Sequence, residues 1–232
     1  MTPKIVFIGS IGTVAETSEI QRQAYNKALK ENGVDWEWNV EVYKKLLKSS
    51  GGQDRLAMLS EATGKNLTAD HITKIHERKT DIAGKKIIEK KIQPRPGVVE
   101  LITAARKEDV KVVWVTTTGH GNTDAILKAF DGTITADHFD YIFHRQDAEN
   151  GKPSPDIYQV ALKHFNLKPS ECIAIEDSLN SALASKGAGI FTVVTPGDYH
   201  DEYLKNIADV VVDSLDQTDW ETLKTSFDNA SK

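Results

Sequence analysis

The 232-residue sequence contains a single cysteine and no long apolar run. One cysteine, Cys172, excludes an internal disulfide, and its apolar neighbours predict a buried, inert thiol rather than a reactive one. No apolar stretch approaches the roughly 18 residues that a membrane-spanning helix requires, and no signal peptide is recognisable. We therefore expect a cytoplasmic protein that has no contact with a membrane.

An excess of positive charge is also missing. The sequence has 29 Lys and Arg residues against 34 Asp and Glu residues, which gives a net charge of −5. Nucleic-acid binding requires a basic surface that neutralises phosphates, so we expect no nucleic-acid partner. Apolar residues make up 39% of the sequence and charged residues 27%, which are ordinary values for a globular protein with a substantial core.

The hydrophobic pattern predicts an α/β fold with a helical insertion. Residues 5–8 form a short apolar run that ends at Gly9 and indicates a buried strand. Only helical patterns follow over residues 17–93, whereas strands and helices alternate after Pro94 and Pro96. Such alternation is typical of a parallel sheet covered by helices on both faces. We predict a core domain formed by residues 1–16 and 94–232, with residues 17–93 as an inserted helical domain.

Polar residues follow several of the later strands. The segment Thr116-Thr-Thr-Gly119 offers hydroxyl and N–H groups suited to a phosphate. Lys152 lies in the turn Gly151–Pro155, where a lysine can act as a point charge for phosphate. Glu176 and Asp177 directly follow a buried strand and offer oxygen ligands for Mg²⁺. Taken singly, these features also fit helix caps, a surface turn and a solvated acidic pair.

In combination, these motifs resemble the haloacid dehalogenase (HAD) superfamily. Members share an apolar strand ending in Asp-x-Asp-Gly-Thr, then a strand ending in Thr or Ser, a Lys-Pro turn and an acidic pair. The resemblance covers nearly the whole chain and is greatest to the branch of CbbY, β-phosphoglucomutase and phosphoglycolate phosphatase, which implies a HAD-like Rossmannoid core with an inserted helical cap. The supporting segments are Arg22-Gln-Ala-Tyr-Asn26, Gly51-Gly-Gln-Asp-Arg55, Gly151-Lys-Pro-Ser-Pro-Asp-Ile-Tyr158 and Ile175-Glu-Asp-Ser178.

The resemblance implies a small phosphorylated metabolite, such as a sugar phosphate, as the ligand, with Mg²⁺ as the cofactor. By position, Thr116 and Lys152 would hold the phosphoryl group with help from the N–H group of Thr117. Glu176 and Asp177 would serve the metal.

Two cap residues also follow from the resemblance. Arg55 is an expected anion contact. Gln21 occupies a position at which relatives often carry histidine.

The first motif departs from the family pattern. Aligning Gly12-Thr13 with the family's Gly-Thr puts Gly9 where the nucleophilic aspartate belongs and Ile11 where the acid/base aspartate belongs. Glycine cannot attack phosphorus, and isoleucine has no titratable proton for the leaving group. The first aspartate is also a metal ligand in the family, so its loss is expected to weaken magnesium binding. No residue is therefore predicted to be catalytic.

Three functions are compatible with this sequence. The first is a catalytically silent HAD-like protein that retains a site for phosphate or a phosphosugar. The second is an active magnesium-dependent phosphatase in which a metal-bound water, oriented by Glu176 and Asp177, attacks phosphorus. The third is a non-enzymatic module that binds an unknown protein partner.

Overall fold

The structure is a computed structural model that describes residues 2–48, 51–199 and 202–230. Within these residues, the centre of the fold is a six-stranded sheet in the order β3-β2-β1-β4-β5-β6, with every neighbouring pair parallel. The parallel α/β fold predicted from the sequence is confirmed. The strands are β1 (Ile5–Ile8), β2 (Lys111–Val115), β3 (Tyr141–Phe143), β4 (Cys172–Glu176), β5 (Phe191–Val194) and β6 (Val210–Val211).

Strand β1 lies in the middle of the sheet and is buried on both faces. Val6 and Ile8 join one apolar cluster, whereas Ile5 and Phe7 join the cluster on the opposite face. Successive side chains of a strand point to opposite faces, so a strand covered on both sides must be apolar throughout. This double burial explains why the strand is readable as a continuous apolar run.

The described part of residues 17–93 contains helices and no strand, as predicted. The helices are α1 (Ser18–Glu31), α2 (Val40–Leu46), α3 (Gly52–Ala62) and α4 (Ala69–Glu89). These helices share an apolar cluster that includes Trp38 and Leu56. Ile20 of α1 and Ile87 of α4 instead belong to the apolar cluster on the face of the sheet that contains Val6 and Ile8. The helical segment is therefore anchored to the sheet, and its role as a separate cap domain stays a prediction.

The remaining helices cover the two faces of the sheet. One of them was not predicted from the sequence: the last helix buries Trp220, Leu223 and Phe227, which recur at the three- and four-residue spacing of one helix face. The sequence therefore contains a signal for this helix. These helices are α5 (Val98–Lys107), α6 (His120–Ala129), α7 (Asp156–Phe165), α8 (Leu179–Gly187) and α9 (Trp220–Ala230).

Cys172 is buried in β4, as expected from its apolar neighbours. Burial raises the pKa of its thiol to about 12, which keeps the group protonated and unreactive at neutral pH. Among the helices of the described residues, none combines the length and the apolar character needed to cross a membrane.

Candidate functional site

The carboxyl ends of the three central strands meet at one edge of the sheet. Ile8 of β1 is in register with Trp114 of β2 and with Ile175 of β4. The segments that follow these strands therefore begin side by side, which is where open α/β sheets place their ligands. A cleft of about 520 Å³ lies there, between the sheet and the helical segment.

The cleft brings together most of the site residues predicted from the sequence. One predicted residue, Glu176, lies beneath the cleft and does not line it. The predicted residues that line the cleft are Gln21, Arg55, Thr116, Thr117, Lys152 and Asp177, together with Ile11 of the first turn.

The segment after β2 forms a compact set of hydroxyl and N–H groups. The Oγ1 atoms of Thr116 and Thr118 are 3.0 Å apart, and the N–H group of Thr118 donates to Thr116 Oγ1 at 3.1 Å. Helix α6 begins two residues later, so its N-terminal end is directed towards the same space. Hydroxyls beside a helix N-terminus suit an anionic group.

A chain of polar side chains crosses from this segment to the helical insertion. Asn122 Nδ2 donates to Thr118 Oγ1 at 3.4 Å, and Asn122 Oδ1 accepts from Gln21 Nε2 at 2.8 Å. Gln21 Oε1 in turn accepts from Lys79 Nζ at 2.9 Å. Gln21 is therefore a bridge between the helical segment and the sheet. Neither Asn122 nor Lys79 was singled out from the sequence, because their partners lie 101 and 58 residues away from them.

Positive side chains on the helical segment face the cleft. The Arg55 guanidinium lies 5.6 Å from the ring of Tyr43 and donates from Nε to the Leu46 carbonyl at 2.8 Å. Lys79 Nζ lies 4.8 Å from the ring of Tyr25. Burial and the nearby Arg55 charge lower the pKa of Lys79 to about 7. Two cations that disfavour each other in a cleft suit a ligand with negative charge.

Replacing Lys79 with methionine is expected to stabilise the ligand-free protein at pH 6 by on the order of 1 kcal/mol. The pKa of Lys79 is below its ordinary value, so its charged form costs stability below about pH 7, and this cost disappears as the pH rises towards 10. Urea denaturation at pH 6 and pH 9.5 measures the gain, which shrinks at the higher pH. Lys74→Met, on an exposed lysine of the same helix, is the control. A loss of stability at pH 6 would contradict this account of Lys79.

Lys152 is held by a carboxylate beneath the cleft. Its Nζ donates to Glu176 Oε1 and, at 3.2 Å, to the Val115 carbonyl. The hydroxyl of Tyr158 donates to the same carboxylate oxygen, and burial together with the Glu176 charge raises the Tyr158 pKa well above its ordinary value. The side chain of Glu176 is 1% exposed and that of Lys152 is 7% exposed. The two form a buried ion pair.

The Glu176 carboxylate also fills the space next to Gly9. A Cβ atom placed on Gly9 would overlap Glu176 Oε2 and would lie 2.7 Å from Thr13 Oγ1. The structure therefore has no room for a side chain at position 9 while Glu176 keeps this orientation.

The two predicted magnesium ligands face different surroundings. Asp177 lines the cleft, where burial and the charge of Glu176 raise the pKa of its carboxyl to about 7. Glu176 is directed at Lys152 and Tyr158. Over residues 2–48, 51–199 and 202–230, no three His, Cys, Asp or Glu side chains form a group that could hold a metal ion. As placed, these side chains do not fit a magnesium ion shared between both acids, and their metal role stays a prediction.

Comparisons with known proteins agree with the fold. Residues 4–189 match the family model of haloacid dehalogenase-like hydrolases. The chain is 37% identical over 206 residues to Protein CbbY of Cereibacter sphaeroides, covering 88% of this chain and 89% of that protein. Crystal structures of CbbY from Rhodobacter sphaeroides, one with phosphate and one of a mutant with xylulose-(1,5)bisphosphate, share 34% identity and a TM-score of 0.84, covering 93% of this chain and 96% of theirs. A β-phosphoglucomutase from Clostridium difficile has a TM-score of 0.82 at 21% identity, covers 99% of both chains, and supports the fold alone.

Proposed function

The chain belongs to the haloacid dehalogenase-like hydrolases, and from that premise we propose that it binds a small phosphorylated molecule without hydrolysing it by the aspartyl-phosphate route. One observation carries the proposal. Thr116, Thr117 and Lys152 come together at the cleft, whereas the positions after β1 that align with the family aspartates hold Gly9 and Ile11. These observations support a phosphate site that lacks the groups needed to break the ester bond.

The charge of the cleft supports an anionic ligand. Four lysine and arginine residues line it against two aspartates, so positive side chains remain in excess even though Lys152 is paired with Glu176, while the whole chain carries a net charge of −5. The hydroxyl of Ser10 is buried at the cleft and has no hydrogen-bond partner among the described residues. Buried polar groups normally have partners, so this hydroxyl is available to a ligand oxygen. The CbbY complexes with phosphate and xylulose-(1,5)bisphosphate make small sugar phosphates the first class to test.

The absence of a nucleophile and of a proton donor supports a site that binds its ligand without catalysis. A carboxylate nucleophile and a proton donor are needed for an aspartyl-phosphate mechanism, and loss of a nucleophile alone costs on the order of 10⁶ in rate in a well-studied protease. Glu176 does not replace them, because Lys152 and Tyr158 hold it away from the cleft. Because Glu176 already accepts hydrogen bonds from Lys152 and Tyr158, we also expect weak magnesium binding. We therefore favour a protein that binds phosphate without hydrolysis over a phosphatase that uses a metal-bound water.

The proposal is tested by measuring turnover and binding on the same protein. With a panel of small sugar phosphates and millimolar Mg²⁺, we expect no hydrolysis at ordinary phosphatase rates, while calorimetry detects binding. Thr116→Val keeps the side-chain shape but removes the hydroxyl, and it is expected to weaken binding about tenfold. Thr103→Val, at an exposed position on α5, is the control. Ordinary turnover, or binding that is indifferent to Thr116→Val, would contradict the proposal.

A further inference from the structure

Beneath the cleft, the Glu176 carboxylate lies in the space that a side chain at position 9 would fill. We propose that Glu176 occupies the space left empty by Gly9 and competes with a bound phosphate for Lys152. The competition for Lys152 rests on the proposed function. The occupation of the space by Glu176 does not, because it involves no ligand.

Lack of space prevents a side chain at position 9, whereas the backbone conformation there would allow one. The N–H group of Gly9 donates to the Ile175 carbonyl at 2.9 Å, which places β1 directly beside the residue that precedes Glu176. Gly9 is not among the glycines with positive φ, so an L-residue would meet no backbone strain there. An added Cβ atom would nevertheless overlap Glu176 Oε2. Glycine at position 9 and this orientation of Glu176 therefore depend on each other.

Competition for Lys152 follows from the burial of the pair. The Glu176 side chain is 1% exposed, and Lys152 Nζ donates both to it and to the Val115 carbonyl. A phosphate that approaches Lys152 meets a lysine whose charge is already balanced, and it is repelled by the carboxylate behind it. Charge interactions are strong at such a buried position because little water screens them. Removing the negative charge should therefore strengthen phosphate binding.

The occupation of the space is tested by a double-mutant cycle on thermal unfolding. Gly9→Ala is expected to lower the melting temperature by about 4 °C or more, as overpacking does in a chain of this size. In a Glu176→Asp background, where the carboxylate is one methylene shorter, the same change should cost less, and the part of the loss that remains comes from Thr13 Oγ1, which lies 2.7 Å from the added Cβ. Gly84→Ala is the control, because an added Cβ there meets only Ala125 Cβ at 3.5 Å. Equal losses in both backgrounds would overturn this half of the inference.

The competition is tested with inorganic phosphate as the probe. Glu176→Gln keeps the shape of the side chain, and it is expected to bind phosphate about tenfold more tightly than the unmodified chain in calorimetry. Phosphate should also raise its melting temperature more than that of the unmodified chain. Asp54→Asn removes one negative charge from the cleft lining and controls for a general change in charge. Equal or weaker phosphate binding by Glu176→Gln would overturn the competition.

The two tests separate this inference from the proposed function. If neither the unmodified chain nor Glu176→Gln binds phosphate, the proposed function and the competition both fail, while the unfolding cycle still decides where Glu176 lies. If only Glu176→Gln binds phosphate, the competition is supported and phosphate binding by the unmodified chain is contradicted.

Discussion

Replacing Gly9 and Ile11 together by aspartate is expected to raise the rate of sugar-phosphate hydrolysis by at least about 10³-fold over the unmodified chain. The two changes supply a carboxylate nucleophile and a group that can donate a proton to the leaving alcohol. The new side chain at position 9 must also displace Glu176, because their atoms overlap. The measurement is kcat/KM on small sugar phosphates and bisphosphates in the presence of Mg²⁺.

A matched control separates chemistry from repacking. Gly9→Asn with Ile11→Asp has nearly the same volume but no nucleophile, and its rate should stay at that of the unmodified chain. If the double aspartate variant is poorly folded, adding Glu176→Asp shortens the opposing side chain and should restore the fold. A well-folded double variant that binds sugar phosphates without any gain in rate would show that the remaining cleft is not a residual active site.

Most of the fold could be predicted from the sequence, because its elements have simple periodicity. Strand β1 is an uninterrupted apolar run since both of its faces are covered. The segments of residues 17–93 that form α1 to α4 repeat their apolar positions with helical spacing, which predicts helices there. Helix α9 carries an equally regular apolar stripe, so the sequence contains the signal for this helix as well.

The site was predictable only as far as it depends on strand ends. Thr116 follows β2 and Asp177 follows β4, the two parallel strands that flank β1, so the topology of the sheet places them at one edge, beside Gly9 at the end of β1. Lys79 gave no such signal, because its place over the cleft depends on how α1 and α4 pack. The orientation of Glu176 was equally hidden, because it depends on its contacts with Lys152 and Tyr158 and on the absence of a Cβ atom at Gly9, which follows β1.

Replacing Lys152 with methionine is expected to lower the free energy of unfolding by about 3–5 kcal/mol, because it leaves a buried carboxylate without its counter-charge. The Glu176 side chain is 1% exposed, so water cannot compensate for the loss, and Tyr158 supplies only a neutral donor. Urea denaturation at pH 7.5 measures the effect.

The same measurement distinguishes a buried pair from an ordinary ion pair. Lys65→Met removes the lysine of the exposed pair with Asp35, whose side chains are 37% and 81% exposed, and it should cost less than about 1 kcal/mol. Combining Lys152→Met with Glu176→Gln removes both charges and should recover most of the stability, because no buried charge is then left unpaired. If the combination is no more stable than Lys152→Met alone, the loss comes from the lysine's packing and its bond to the Val115 carbonyl, and Glu176 is not the internal partner described above.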